Sequence, residues 1–329
     1  AYGALRRATA EQIESAIGMV VAHYIPWRAI RAGKQLSDSK GASAALSTEV
    51  AVLSMKRAMA GFLGPRDIFR NPEAIFRQFE PTSGDSPFDL HLALSGSGFA
   101  VMGMHFKLGL YEHQSAGAIQ GLINLITQNR RMLKEENLSS LLITAYEPAF
   151  GIIGDPAKRN PTPRQSADHS MLYIIATLLR KAMELGEALS SDPEEAWRQT
   201  MLMPADYGRE AIHHPVTRRL MDKISFAHGG SDYDSKYPEG IPTSLQVCLE
   251  GGDVLDSGLI MFPVGHASCS SANLEAMLQA KFALLGALAF ADETQADSFV
   301  QRFLRVGNLS HQELLALTDV PIADRESVD

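Results

Sequence analysis

Leu245-Gln246-Val247-Cys248-Leu249-Glu250-Gly251-Gly252-Asp253-Val254 is the stretch that decides the fold class. Leu245, Val247 and Leu249 recur at every second position, the period of a strand with one buried face. Gly251-Gly252 supplies a turn that needs backbone conformations few other residues adopt, and Val254 to Phe262 reads as the returning strand. A hairpin here means the chain is not an all-helical bundle. Working outward, Ser139 to Tyr146 reads as another strand. Between them lie a strong helix at Ser166 to Leu185, with Met171, Ile174, Ile175, Leu178 and Leu179 on one face, and a short one at Pro215 to Ile224 with proline at its first position. A helix at Ser115 to Gln128 precedes the first strand, and residues 151–163, rich in proline and glycine, form a loop.

Beyond this mixed centre the texture is helical on both sides. Thr9 and Gln12 form a capping box ahead of Ile13, Ala16, Ile17, Val20 and Val21, a run that Pro26 ends. A second helix spans Ala42 to Met59, stopped by Gly61 and Gly64-Pro65; a loose segment from Asn71 to Pro87 and a glycine-punctuated apolar run from Leu90 to Phe106 follow. Towards the C-terminus, helices are predicted at Leu274 to Phe290 and Thr294 to Val306, with a capping box at Ser310 and Glu313. The expectation is an α+β fold in which a mixed domain, 104–264, is inserted into a helical one made of 1–103 and 265–329.

The 329 residues are 45% hydrophobic and 21% charged, enough for a sizeable core. The net charge of −8 gives no global attraction to nucleic acid or anionic membrane, so an anionic substrate has to be caught by a local basic pocket. No run of about 18 apolar residues exists to span a membrane, and no signal peptide is visible. A cytoplasmic location, or the mitochondrial matrix in a eukaryote, is expected. The chain begins at Ala1, which reads as processing or as a fragment. Cys248 and Cys269 are the two cysteines, too few for a disulfide framework, a four-thiolate zinc site or a three-thiolate iron–sulfur cluster; they read as reduced thiols.

Several motifs fall away on inspection. Gly96-Ser97-Gly98 with Gly103 lacks the spacing and the following helix of a dinucleotide loop. His213-His214 are adjacent and diverge, and Asp232-x-Asp234 lacks the rest of a calcium loop. Two stretches remain. In Phe106-Lys107-Leu108-Gly109-Leu110-Tyr111-Glu112-His113, a lysine sits in apolar company, which lowers its proton affinity towards general-base range. A histidine follows just before a helix, whose N-terminus favours the neutral imidazole. In Lys158-Arg159 through Arg164 to Asp168-His169 and Tyr173, a proline-rich loop feeds a helix N-terminus beside Arg164, an arrangement suited to binding a carboxylate. His169 and Tyr173, four apart, share a face.

At these two stretches the sequence resembles the MmgE/PrpD family of 2-methylcitrate dehydratases and cis-aconitate decarboxylases. Phe106-Lys107 through His113-Gln114-Ser115-Ala116 matches the family's lysine-then-histidine motif, and Asp168-His169-Ser170-Met171-Leu172-Tyr173 its Asp-His helix. Lys40 through Gly64, Thr217 to Ile224, and Phe262-Pro263-Val264-Gly265-His266 match further motifs in the family's order. The resemblance implies a helical domain with an inserted α+β lid, a homodimer, and removal of water from a small tricarboxylate with neither metal nor organic cofactor. It implies that Lys107 and His113 transfer protons and orient substrate and that Tyr173 hydrogen-bonds to it. Lys40, Arg164 and His169 then bind carboxylates or support the groups that do. Two departures stand out. Glu49 aligns with a lysine of the decarboxylase branch, which weighs against decarboxylation, and residues 1–30 lack the family's N-terminal Asp/Thr/His cluster. Decarboxylation or epimerisation of a related polycarboxylate, and an inactive member serving as an oligomeric scaffold, are the alternatives. The apolar runs Leu90–Met104 and Leu274–Phe290 are the surfaces expected to meet a partner.

Overall fold

The computed structural model describes residues 1–25, 35–71, 73, 100–153 and 158–325. Most of the run from Leu90 to Phe106, the Gly96-Ser97-Gly98 motif, nearly all of the segment from Asn71 to Pro87 and part of the 151–163 loop lie outside these residues. The chain divides into two compact units, Ala1–Ala100 and Val101–Asp329. Among the described residues no helix is long and apolar enough to cross a membrane.

In the first unit, helix α1 (Ala10–Tyr24) begins with the expected capping box, Thr9 and Gln12 each accepting the other's backbone N–H. Helix α2 (Asp38–Met59) starts four residues earlier than periodicity predicts, with Ser37 at its N-cap and Asp38 placed well against the helix dipole. Ala16, Met19, Met55 and Ala58 form a small core between the two helices. The Gly64-Pro65 stop folds directly onto α1. A Cβ on Gly18 would lie 2.0 Å from the Pro65 carbonyl, and one on Gly64 would lie 2.1 Å from that of Ser15, so only glycine permits this crossing.

The second unit mixes helices with one four-stranded sheet of order β2-β1-β3-β4. Helix α3 (Ala116–Gln128) is apolar nearly all round, and Ile119, Leu122, Ile123 and Ile126 are fully buried against the sheet and its neighbours. Each such side chain contributes about 1.5–3 kcal/mol of transfer free energy. Strand β1 (Leu138–Ala145) alternates as expected, burying Leu141, Ile143 and Ala145. Helices α4 (Met171–Leu185), α5 (Pro193–Thr200) and α6 (Pro215–Asp222) then carry the chain across to β2 (Ile224–His228), which pairs parallel to β1. Strand β3 (Thr243–Leu249) pairs antiparallel to β1, with Ile143 opposite Leu245, and hairpins into β4 (Val254–Asp256). The turn glycines Gly251 and Gly252 hold φ of +102° and +93°.

Three expectations are corrected. The strand predicted to run from Val254 to Phe262 stops at Asp256. There the Ser257 hydroxyl, not a backbone carbonyl, accepts the Leu245 N–H at 2.9 Å, and Gly258 turns at φ +67°. The helix predicted over Ser166–Leu185 is broken. A single turn, Arg164–Ala167, ends at Asp168, and Ser170 caps the new helix α4 by accepting the Tyr173 N–H. Residues 265–329 fall in the same compact unit as the sheet, not in a divided helical domain. Helix α7 (Leu274–Ala289) buries Met277 in the large core, and Lys281 on the same helix donates to the Lys107 carbonyl at 2.7 Å. Helix α8 (Glu293–Leu304), capped by Asp292, packs on α7.

Candidate functional site

The turn from Leu108 to Tyr111 is pinned from several directions. The Leu108 N–H donates to the buried Tyr111 hydroxyl at 3.0 Å, and burial drives that phenol's proton affinity up. Trp197 Nε1 on α5 donates to the Leu108 carbonyl at 3.0 Å, the Leu110 N–H donates to the Leu202 carbonyl, and the Tyr207 hydroxyl donates to the Leu110 carbonyl. Gly109, at φ +121°, lets the chain reverse within this frame.

Lys107 stands at the entry to the turn and is exposed. The apolar company its neighbours promised turns the other way: Leu108 and Tyr111 face the core while Lys107 faces outward. At the exit, His113 opens the single turn His113–Ser115 that leads into α3 and is half-buried. Its ring stacks on His105 with centroids 5.4 Å apart and planes 10° apart, and His105 stacks in turn on His266 at 3.9 Å and 21°. Backbone contacts hold the stack. Phe106 N–H donates to the Gly265 carbonyl at 2.7 Å, Ala267 N–H donates to His105 Nδ1, and Ser268 N–H donates to His266 Nδ1, each of these two at 3.1 Å. With Nδ1 accepting, the His266 proton sits on Nε2, which is buried and has no partner among the described residues. Burial, then the neighbouring His105 and His113, push the His266 proton affinity down to about 4. His113 is lowered as well, first by burial, then by His105 and Lys107. The neutral imidazole expected from a helix N-terminus is thus favoured by desolvation and neighbouring cations instead. Among the described residues no three His, Cys, Asp or Glu side chains could hold a metal ion. Stacked faces set the imidazole nitrogens side by side instead of converging them on one point.

Glu112 lies on the inner side of the same turn. Its backbone N–H donates to the Asp168 carbonyl at 3.0 Å and its Oε2 accepts the Gln114 N–H at 2.8 Å. Burial raises its proton affinity, opposed by the Gln114 bond and by the charges of His169, Lys107 and Lys158. The break between Ala167 and α4 presents Asp168 and His169 here. His169 Nδ1 contacts both the Asp168 carboxylate and, at 3.1 Å, the Gln165 carbonyl. Phe262, whose ring is tilted on His266 at 4.9 Å, also lines a cleft of about 430 Å³ with Gln120, Asn124, Glu194, Trp197 and Cys269.

The structure therefore brings Lys107, His113 and His169 to one turn and its surroundings. Arg164 opens the one-turn helix before His169 and is exposed. Lys40 belongs to the first unit, in the first turn of α2. The expectation for Tyr173 is corrected. The side chain is wholly buried beside Tyr207, its hydroxyl donates to the Asp206 carbonyl, and burial pushes the phenol up to about 12. The apolar face of α4, which carries Ile174 and Leu178, carries Tyr173 into the core with it. His105, Glu112 and Asp168 went unassigned in the sequence reading, as did His266 within its Phe-Pro-Val-Gly-His motif. The signal for His105 and Glu112 was adjacency: they flank the Lys107–His113 stretch. No protein-family model and no curated protein matches this sequence.

Proposed function

We propose that this chain is a lyase of the 2-methylcitrate dehydratase kind, removing water from a small tricarboxylate by side-chain acid–base chemistry. The observation that carries the reading is the pairing of a half-buried imidazole held below its ordinary proton affinity with an exposed ammonium at the two ends of one pinned turn. A proton next to a carboxylate is hard to remove because negative charge accumulates on that carboxylate. Lys107 offsets this charge, while neutral His113 accepts the proton. Its stacking on His105 keeps the ring from swinging, which holds the lone pair in place for transfer. Lys158, Arg164 and His169 supply further cationic or hydrogen-bonding groups for the remaining carboxylates. The reading includes homodimerisation and an intracellular location.

The test is a product assay. Protein treated with chelator is offered 2-methylcitrate, citrate and cis-aconitate separately, and products are followed by NMR. Alkene formation from 2-methylcitrate is expected, and Lys107→Ala is expected to lower kcat/KM by about 10²–10³ with an unchanged melting curve. Folded protein that turns over none of the three refutes the reading, and one that releases carbon dioxide from cis-aconitate replaces it with a decarboxylase.

A further inference from the structure

Elimination of water needs two proton-handling groups: one takes a proton from carbon, the other gives one to the departing hydroxyl. A hydroxide ion is otherwise a poor leaving group at neutral pH. His113 fills the first role in the reading above, and this inference rests on that reading. We propose that Glu112 is the second group, the side chain that delivers a proton to the leaving oxygen.

The carboxyl is half-buried and asymmetrically bonded. Oε2 takes the Gln114 N–H, while Oε1 takes no bond from a described residue. Near it in the chain or within its electrostatic reach are buried polar atoms that also lack a partner among the described residues: Gln114 Oε1, Ser115 Oγ and the Tyr146 hydroxyl. Ser115 and Tyr146 have no exposed surface. Gln114 and Ser115 belong to the single turn that follows Glu112. That turn packs on Ala149–Ile153, which follows Tyr146 in the chain, and the Tyr146 phenol and the Glu112 carboxyl lie within electrostatic reach of each other. Buried donors and acceptors are nearly always paired, so several orphans in one locality mark a place where a polar molecule completes the bonding. A hydroxylated carboxylate offers both donors and acceptors to such a set.

The groups that bear electrostatically on Glu112 are Lys107, Lys158, His169 and Tyr146. Lys107 bears electrostatically on both Glu112 and His113. Desolvation outweighs the cations and raises the proton affinity of the carboxyl above its ordinary range, the direction a general acid requires. The step balances as follows. His113 takes the proton from carbon, and that C–H electron pair becomes the second C–C bond. The C–O bond breaks towards oxygen, which takes the Glu112 proton and leaves as water. Glu112 is left as carboxylate and His113 as imidazolium, and exchange with solvent restores both.

The experiment measures kcat and KM for 2-methylcitrate against pH in the wild type, Glu112→Gln and Glu112→Asp. Glutamine keeps an oxygen for the Gln114 N–H, so the fold should survive, and a melting curve checks it. The expected result is a kcat about 10²–10⁴-fold lower in Glu112→Gln with KM little changed. The fall of the wild-type profile at high pH should vanish in Glu112→Gln and persist in Glu112→Asp. A Glu112→Gln enzyme within about threefold of wild type that keeps the high-pH fall overturns the assignment while the dehydratase reading stands. Wild type inactive on every tricarboxylate overturns both. Should Glu112→Gln fail to fold, Glu112→Asp decides: a kcat at least tenfold down with the high-pH limb retained supports the acid, and unchanged kinetics overturn it.

Discussion

Replacing Tyr173 with phenylalanine separates a buried structural group from a substrate contact. The ring is wholly buried and stays in place, so the change removes one hydroxyl and nothing else. That hydroxyl donates to the Asp206 carbonyl, whose residue is itself buried, with its carboxylate bound to Lys181 Nζ at 2.6 Å. The net worth of such a bond is about 1 kcal/mol, and leaving a buried carbonyl unpaired costs about 1–3 kcal/mol, so a loss of about 1–2 kcal/mol is expected. For a unit of this size that is roughly 2–8 °C in Tm. The pH dependence has a definite sign. The folded phenol titrates at about 12, above its ordinary value of 10, so the stability it contributes is intact below 10 and is lost as pH climbs through 12. The gap between wild type and variant is therefore constant across neutral pH and narrows only in strong alkali. Thermal melts at pH 7 and pH 9, with turnover of 2-methylcitrate alongside, make the assay. An unchanged Tm combined with a tenfold or greater fall in kcat would refute the argument and return Tyr173 to the substrate.

Two further expectations concern the histidine stack. Gly265→Ala places a Cβ 2.2 Å from the Phe106 carbonyl on a residue at φ +95°, so residues 105–107 must move away from residues 265–267. The backbone conformation alone costs about 1 kcal/mol and the steric overlap adds to it. A Tm lower by several degrees and a matching loss of turnover are expected. His266→Gln tests the pH response. A histidine whose folded proton affinity is depressed to about 4 stabilises the fold above its ordinary value of 6.5, and that stability is lost as pH falls towards 4. Melts between pH 7 and pH 4 should fall less steeply in the variant than in wild type; parallel curves would remove His266 from the acid response.

What could be read from the sequence followed the range of the interactions involved. The β3 alternation and the Gly251-Gly252 turn are local, and so are the capping boxes at Thr9 and Ser310; all appear in the structure. Strand β2 escaped, because five residues carry little period and their partner, β1, lies across a long helical crossover. The break before α4 escaped for another reason. The apolar period runs unbroken through Ser166–Leu185, and only the Ser170 hydroxyl, which accepts the Tyr173 N–H and donates to the Lys158 carbonyl, shows that a new helix begins there. A cap that depends on a distant loop carbonyl leaves no trace in a hydrophobic pattern. At the site, Lys107 and His113 stood out by residue type, but their surroundings did not. Which neighbours of Lys107 turn inward is fixed by the Trp197, Leu202 and Tyr207 bonds, made from elements far along the chain.

Those bonds also explain how one short turn can present groups of opposed character. The donors and acceptors of Leu108 and Leu110 are consumed by the core, which leaves the turn little freedom to relax. Glu112 therefore stays inside, where desolvation favours its proton, although an exposed rotamer would hydrate it better. His113 stays against His105, where desolvation favours the loss of a proton. Burial acts on both residues in the same way, by disfavouring charge, and because one is an acid and the other a base it raises the proton affinity of the carboxyl and lowers that of the imidazole. Under the proposed function, these two adjacent residues serve as donor and acceptor, and a single physical cause shifts both. Loosening the turn should degrade both at once, whereas substituting either residue alone should remove only one limb of the pH profile.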